Sequence, residues 1–139
     1  DTSSYVSLED ILLNLSKLSV LENINSITIF LDVKYINFEE SITNYKYPEL
    51  SKKLSLLASS SSKETSNEID DMKHSIFSYF LMKGLKGDAY GDDKILEIGE
   101  LAEYLYRKIP DYTKNLENGV LQNPEFIGSD LKRVLIDLR

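Results

Sequence analysis

Apolar residues at Leu8, Ile11, Leu12, Leu15 and Leu18 recur at spacings of three and four, which puts one stripe on a helix. Ser7 stands ahead of them, and Glu9 and Asp10 fall in the first turn, so the start is marked as well. The pattern predicts a helix over 8–21, broken at Asn23 and Asn25. Ser26-Ile27-Thr28-Ile29-Phe30-Leu31-Asp32-Val33 is β-branched and nearly continuously apolar, as in a strand covered on both faces. Residues 34–50 mix polar positions with Tyr35, Phe38, Tyr45 and Tyr47 and stop at Pro48, which reads as a loop with a short helix near 37–44. Residues 53–58 are a second strand candidate. The polar stretch 59–71, opening on four serines, reads as a long loop.

From His74 onward, Ile76, Phe77, Phe80, Leu81 and Leu85 have helical spacing, closed by Gly84 and Gly87. A further helix is expected over 97–109, with Ile98, Leu101, Leu105 and Ile109 inward and Pro110 just beyond. Residues 111–130, which carry Gly119, Pro124 and Gly128, read as irregular. Residues 132–138, with Val134, Leu135 and Ile136, read as a strand or a short helix. This order of elements predicts an α/β fold, a mainly parallel sheet flanked by helices. Three strands are few for such a sheet, so it is expected to be partial.

The length of 139 residues suits one domain, and 42% hydrophobic with 28% charged residues is the composition of a folding chain. The formal charge of −7 disfavours nucleic acid as a partner, because phosphate binding draws on clustered Lys and Arg. No apolar run approaches the ~18–20 residues of a membrane span, so no membrane partner is expected. Cysteine is absent and His74 is the one histidine. Those two counts exclude disulfides, a Cys-ligated zinc, a thiolate nucleophile and a multi-histidine metal site within this chain. No cofactor is implied, and the lack of cysteine fits a cytoplasmic protein. The chain opens on Asp1 rather than Met, with no signal-peptide pattern, so it is expected to be a piece of a longer product.

The stretch His74-Ser75-Ile76-Phe77-Ser78-Tyr79-Phe80-Leu81-Met82-Lys83-Gly84-Leu85-Lys86-Gly87 resembles a helix of bacterial caspase-like, metacaspase-related peptidases, typically His-Gly-x-Phe-Thr-Tyr-Tyr-Leu-Leu with a Gly-Leu-x-Gly ending. The acidic loop from Asp88 to Lys94, then Glu100-Leu101 and Tyr104-Leu105, follow in the family's order. Gln122-Asn123-Pro124-Glu125 is similar to its Gln-Thr-Pro-Gln element. Upstream, Ile27 to Asp32 resembles the strand that ends in Leu-Asp-x-Cys, and Tyr5 to Ile11 the start of the helix before it. Ala58-Ser59-Ser60 with Glu64-Thr65-Ser66 resembles the strand and loop that border the substrate cleft. The resemblance implies a caspase-like three-layer sandwich, of which residues 1–139 form the C-terminal half to two-thirds. The N-terminal strands and the catalytic histidine would precede residue 1.

The chemistry departs from that family. With Asp32 aligned to its aspartate, Lys34 occupies the cysteine position, and Ile36-Asn37 replaces the usual Ser-Gly. Lys34 itself reads as a solvated loop-edge lysine, since an amine nucleophile needs a desolvated pocket that the sequence does not show. Asp32 reads either as a ligand-orienting carboxylate at a strand end or as a cap on the following turn. Ser59, Ser60, Glu64 and Glu68 would form the rim of the cleft, where acidic groups, Asp70 and Asp71 among them, could receive a basic side chain. Otherwise they belong to a solvated loop. Asp88, Asp92, Asp93 and Glu100 resemble a calcium loop, but Tyr90, Asp93 and Gly99 fall where its third, sixth and twelfth positions need Asp or Asn, Gly and Glu. The favoured reading there is a solvated acidic turn.

The resulting expectation is a pseudo-peptidase with an interaction or regulatory role. The alternatives are a fragment of an active caspase-like cysteine endopeptidase cleaving after basic residues, and an unrelated α/β binding module. A partial sheet leaves residues 27–33 on an apolar edge. That edge predicts covering by a protein partner, a missing N-terminal part or a second copy.

Overall fold

The computed structural model describes residues 7–33, 46–60, 68–69, 74–116 and 121–139. Helix α1 (Leu8–Ser19) begins where the Ser7 hydroxyl oxygen accepts from the Asp10 amide at 3.0 Å. Strand β1 (Ile27–Leu31) follows it. Helix α2 (Pro48–Lys53) has its proline in the first turn, where a missing N–H leaves nothing unpaired, and leads directly into β2 (Leu54–Ala58). A short pair, β3 (Glu68–Ile69) and β4 (His74–Ser75), precedes α3 (Ile76–Lys83), which widens into a turn over Gly84–Asp88. Strand β5 (Ile95–Glu97), helix α4 (Ile98–Thr113), β6 (Glu125–Gly128) and β7 (Val134–Asp137) complete the order.

The fold is mixed α/β. Strands β1 and β2 are parallel neighbours, with Ile27 opposite Leu54 and Leu31 opposite Ala58. Strand β6 lies antiparallel on the other side of β2, giving the order β1-β2-β6. Two small antiparallel pairs, β3 with β4 and β5 with β7, stand beside it. The main sheet is therefore mixed, where the hydrophobic pattern predicts a mainly parallel one. The difference is β6, which falls in the stretch expected to be irregular: four residues ending in a glycine are too few to register a period, and pairing with β2 makes them a strand.

Other boundaries shift for physical reasons. His74 belongs to β4 rather than to the helix, because Ser75 caps α3, its hydroxyl oxygen accepting from the Ser78 amide at 3.0 Å. Helix α4 runs through Pro110 to Thr113 instead of stopping before the proline. Ile109 and Thr113, one turn apart and both fully buried, offset the hydrogen bond that Pro110 cannot make. The strand reading of 132–138 holds over Val134–Asp137. The expected helix near 37–44 lies outside the described residues.

Side-chain alternation divides the core. Phe30, Leu57 and Phe126 face α3 and α4, where Phe77, Phe80, Leu101, Leu105 and Ile109 are buried. Ile29, Leu56 and Ile127 face Leu12 of α1 and Leu50 of α2. Helices thus cover both faces. Among the described residues no helix is long and apolar enough to cross a membrane.

Candidate functional site

Because β1 and β2 run in the same direction, their C-terminal ends emerge side by side, the end of the sheet at which α/β folds hold ligands. Asp32 leaves β1 there and turns toward the start of α3. Its Oδ2 accepts from the Ser78 hydroxyl at 2.6 Å and also from the Ser75 hydroxyl. A carboxylate at a helix N-terminus faces the positive end of the aligned peptide dipoles, so this contact stabilises α3 electrostatically as well.

Ser59, one residue past β2, extends the pairing beyond the last ladder bond. Its amide donates to the Leu31 carbonyl at 2.8 Å. Its hydroxyl donates to the Val33 carbonyl at 2.9 Å and accepts from the Val33 amide at 3.1 Å. Gln122 closes the group from the far side: its side-chain amide donates to the Ser59 carbonyl at 2.6 Å, and its own backbone amide donates to the Thr113 hydroxyl at 3.1 Å. Gln122, Ser59 and Thr113 are each fully buried. Such a network is stable because each partner satisfies a group that could not otherwise be desolvated.

The residues singled out from sequence fall as follows. Asp32 and Ser59 come together at the end of the parallel pair, and Ser60 beside them is also buried. The Ser59 hydroxyl is engaged with the Val33 backbone rather than presented free. Glu68 pairs through its backbone with Ser75, which sets β3 alongside the Asp32 group. Lys34 and Glu64 lie outside the described residues. Of the acidic loop residues, Asp88, Asp93 and Glu100 are separately engaged. The Glu100 carboxylate accepts from the Glu97 amide at 2.9 Å in a capping box, and Asp93 accepts from the Ile95 amide at 3.1 Å. Asp88 lies 3.4 Å from the Tyr104 hydroxyl and 3.6 Å from Lys83 Nζ. Among the described residues, no three acidic, histidine or cysteine side chains are gathered to hold a metal ion.

Sequence reading missed Ser75 and Ser78 as partners of Asp32. Their spacing is a capping signal in itself, but only the tertiary contact reveals the carboxylate. Chemically the group offers one carboxylate, several hydroxyls and an amide. The Ser75 and Ser78 hydroxyls donate to Asp32 and the Ser59 hydroxyl donates to the Val33 carbonyl, so these groups are engaged with one another and with the backbone. A surface cavity of about 410 Å³, lined by Phe80, Lys108, Asp111, Tyr112, Asn115 and Leu116, shares no residue with it.

No family model matches the chain, and no curated protein or solved structure matches it either.

Proposed function

We propose that the chain is a caspase-like domain that lacks its nucleophile and serves as an interaction or regulatory module. The observation that supports this reading is convergence: stretches that resemble the family, distant in sequence, meet in space. The two strands expected to be parallel neighbours are so paired. Asp32 at the end of the first contacts Ser75 and Ser78 of the His74–Gly87 stretch. Gln122 of the Gln-Asn-Pro element reaches Ser59 at the end of the second. Gly84 lies so near α4 that a Cβ there would come within 2.7 Å of Leu101 Cδ1, so the glycine ending and the Glu-Leu element need each other.

The chemistry is absent while this framework persists. The chain holds no thiol, Lys34 stands at the cysteine position, and Asp32 is engaged with α3. The same reading adds strands outside β1, which among the described residues is the outer strand of the sheet and is only half-buried along its length. An N-terminal piece of the same domain, a partner segment or a second copy would fill that position.

Two measurements test the proposal. Coding sequence upstream of Asp1 is expected to supply further strand patterns, and their absence would remove the family reading. Purified protein is expected to leave Arg- and Lys-containing reporter peptides intact. Hydrolysis by this chain that persists after thiol alkylation would overturn the loss of function.

A further inference from the structure

We propose that residues 130–139 form a strap, fastened to the main sheet by Arg133, which opens as a unit while the three-stranded sheet stays folded. The strap starts against the N-terminus of α4. The Ile98 amide donates to the Arg133 carbonyl at 2.9 Å, and the Gly99 amide donates to the Leu131 carbonyl at 2.9 Å. These are first-turn amides that the helix itself leaves without a partner. The seat is close-fitting, since a Cβ on Gly99 would stand 2.8 Å from the Leu131 oxygen. Beyond it β7 pairs with β5, and the Leu138 amide donates to the Lys94 carbonyl at 3.0 Å.

Apolar burial contributes little to this hold. Leu131, Val134 and Leu138 are 52%, 52% and 63% exposed, and only Leu135 and Ile136 pack, partly buried, on the α3–α4 core. Polar contacts must therefore supply most of the attachment, and the guanidinium of Arg133 carries it to the main sheet. Arg133 Nη1 donates to the Lys53 carbonyl at 2.6 Å, to Ser55 Oγ at 2.9 Å and, at 3.5 Å, to the Ile27 carbonyl. These groups lie where β1 and β2 begin, at the opposite end from Asp32.

Arg133 makes a reversible fastener. Its side chain is 10% exposed, and the Asp130 carboxylate, half exposed, lies 3.8 Å from Nε. Charge-assisted bonds to carbonyls favour the closed strap, while desolvation of the cation opposes it. Opening returns the charge to water and uncovers the edge of β5, buried Leu96 and the first-turn amides of α4. The strap thereby controls access to a strand edge and a helix N-terminus.

Amide hydrogen exchange on the intact chain tests this. The amides of Ile98, Gly99, Leu138 and the β5–β7 pair should exchange together, at least tenfold faster than those of β2. Arg133→Met should accelerate that group by about a further tenfold and leave β2 within twofold. Arg133→Lys, which keeps the charge but not the branched donor, should fall between. Exchange of the strap at the same rate as β2 in the unaltered protein would overturn the proposal, even if Arg133→Met fails to fold. Equal acceleration of every amide in a folded variant would overturn it too.

Discussion

The two faces of the main sheet carry similar apolar patterns and bury them very differently. On one face α4 has Ile98, Leu101, Ala102, Tyr104, Leu105, Ile109 and Thr113 buried. On the other, α1 has only Leu12 and Ser19 buried, while Ile11, Leu13 and Leu18 are exposed. The strands repeat the contrast. Every residue of β2 is buried, and every residue of its parallel neighbour β1 is intermediate, although both are short apolar runs. A hydrophobic stripe reports what a segment is built to cover; burial reports what covers it. On the β1–α1 side the first exceeds the second, which is why the proposed function adds polypeptide there.

The largest expected effect separates the two faces directly. Leu105→Ala, at a position with no exposure, should destabilise the chain by about 2–5 kcal/mol through lost transfer energy and a residual cavity. Leu18→Ala, at 46% exposure, should change stability by no more than about 0.5 kcal/mol. Denaturant midpoints with unchanged slopes would read both. A loss at Leu18 comparable to that at Leu105 would mean that α1 is already covered in solution, and the contrast between the faces would collapse.

A smaller effect tests the network at the strand ends. Gln122→Ala removes the donor to the Ser59 carbonyl, leaving a buried acceptor unpaired at a cost of about 1–3 kcal/mol. Its influence should centre on the junction of β2 with residues 121–124, read as faster exchange of the Ser59 amide. Loss of less than about 0.5 kcal/mol would show that water replaces the amide, and that the site is open rather than sealed.

Much of the framework was legible because its signals are local. Ser7 with its apolar stripe marks α1, and the β-branched run marks β1, since periodicity and capping involve residues within a turn of each other. Strand β6 was not legible, because four residues carry no period and only the exposed edge of β2 makes them a strand. The candidate site was half legible. Asp32 stood out as a charge ending an apolar strand, and Ser59 as the residue ending the next. Their partners Ser78 and Gln122 lie 46 and 63 residues away in sequence, and such pairs follow from topology rather than pattern. Arg133 gave no signal, because a lone arginine before an apolar run reads as a solvated charge until the starts of β1 and β2 are brought beneath it.

The finest contrast between the faces is electrostatic, and it is carried by two tyrosines. Burial, with the Asp88 charge adding to it, pushes the Tyr104 hydroxyl on α4 up to about 12. Tyr47, beside α2, is also raised, but first by the hydrogen bond it donates to the Glu9 carboxylate at 2.7 Å. Tyr104 is neutral in both folded and unfolded chains well below pH 10. Between about 10 and 12 the unfolded form ionises first, so the stability that Tyr104 contributes is complete below that window and falls as pH rises through it. Tyr104→Phe should be nearly neutral at pH 7, since its 3.4 Å contact with Asp88 is long, and should remove that part of the alkaline loss. Added salt should leave the Tyr104 effect largely intact, because desolvation is not screened, whereas Glu9, half exposed and paired with Lys46, is open to screening. Chemical denaturation of both forms at pH 9 and pH 11, in low and high salt, checks each point. A wild-type alkaline loss that the Phe variant reproduces in full would show that Tyr104 is solvated, and that even the α4 face is less sealed than its burial implies.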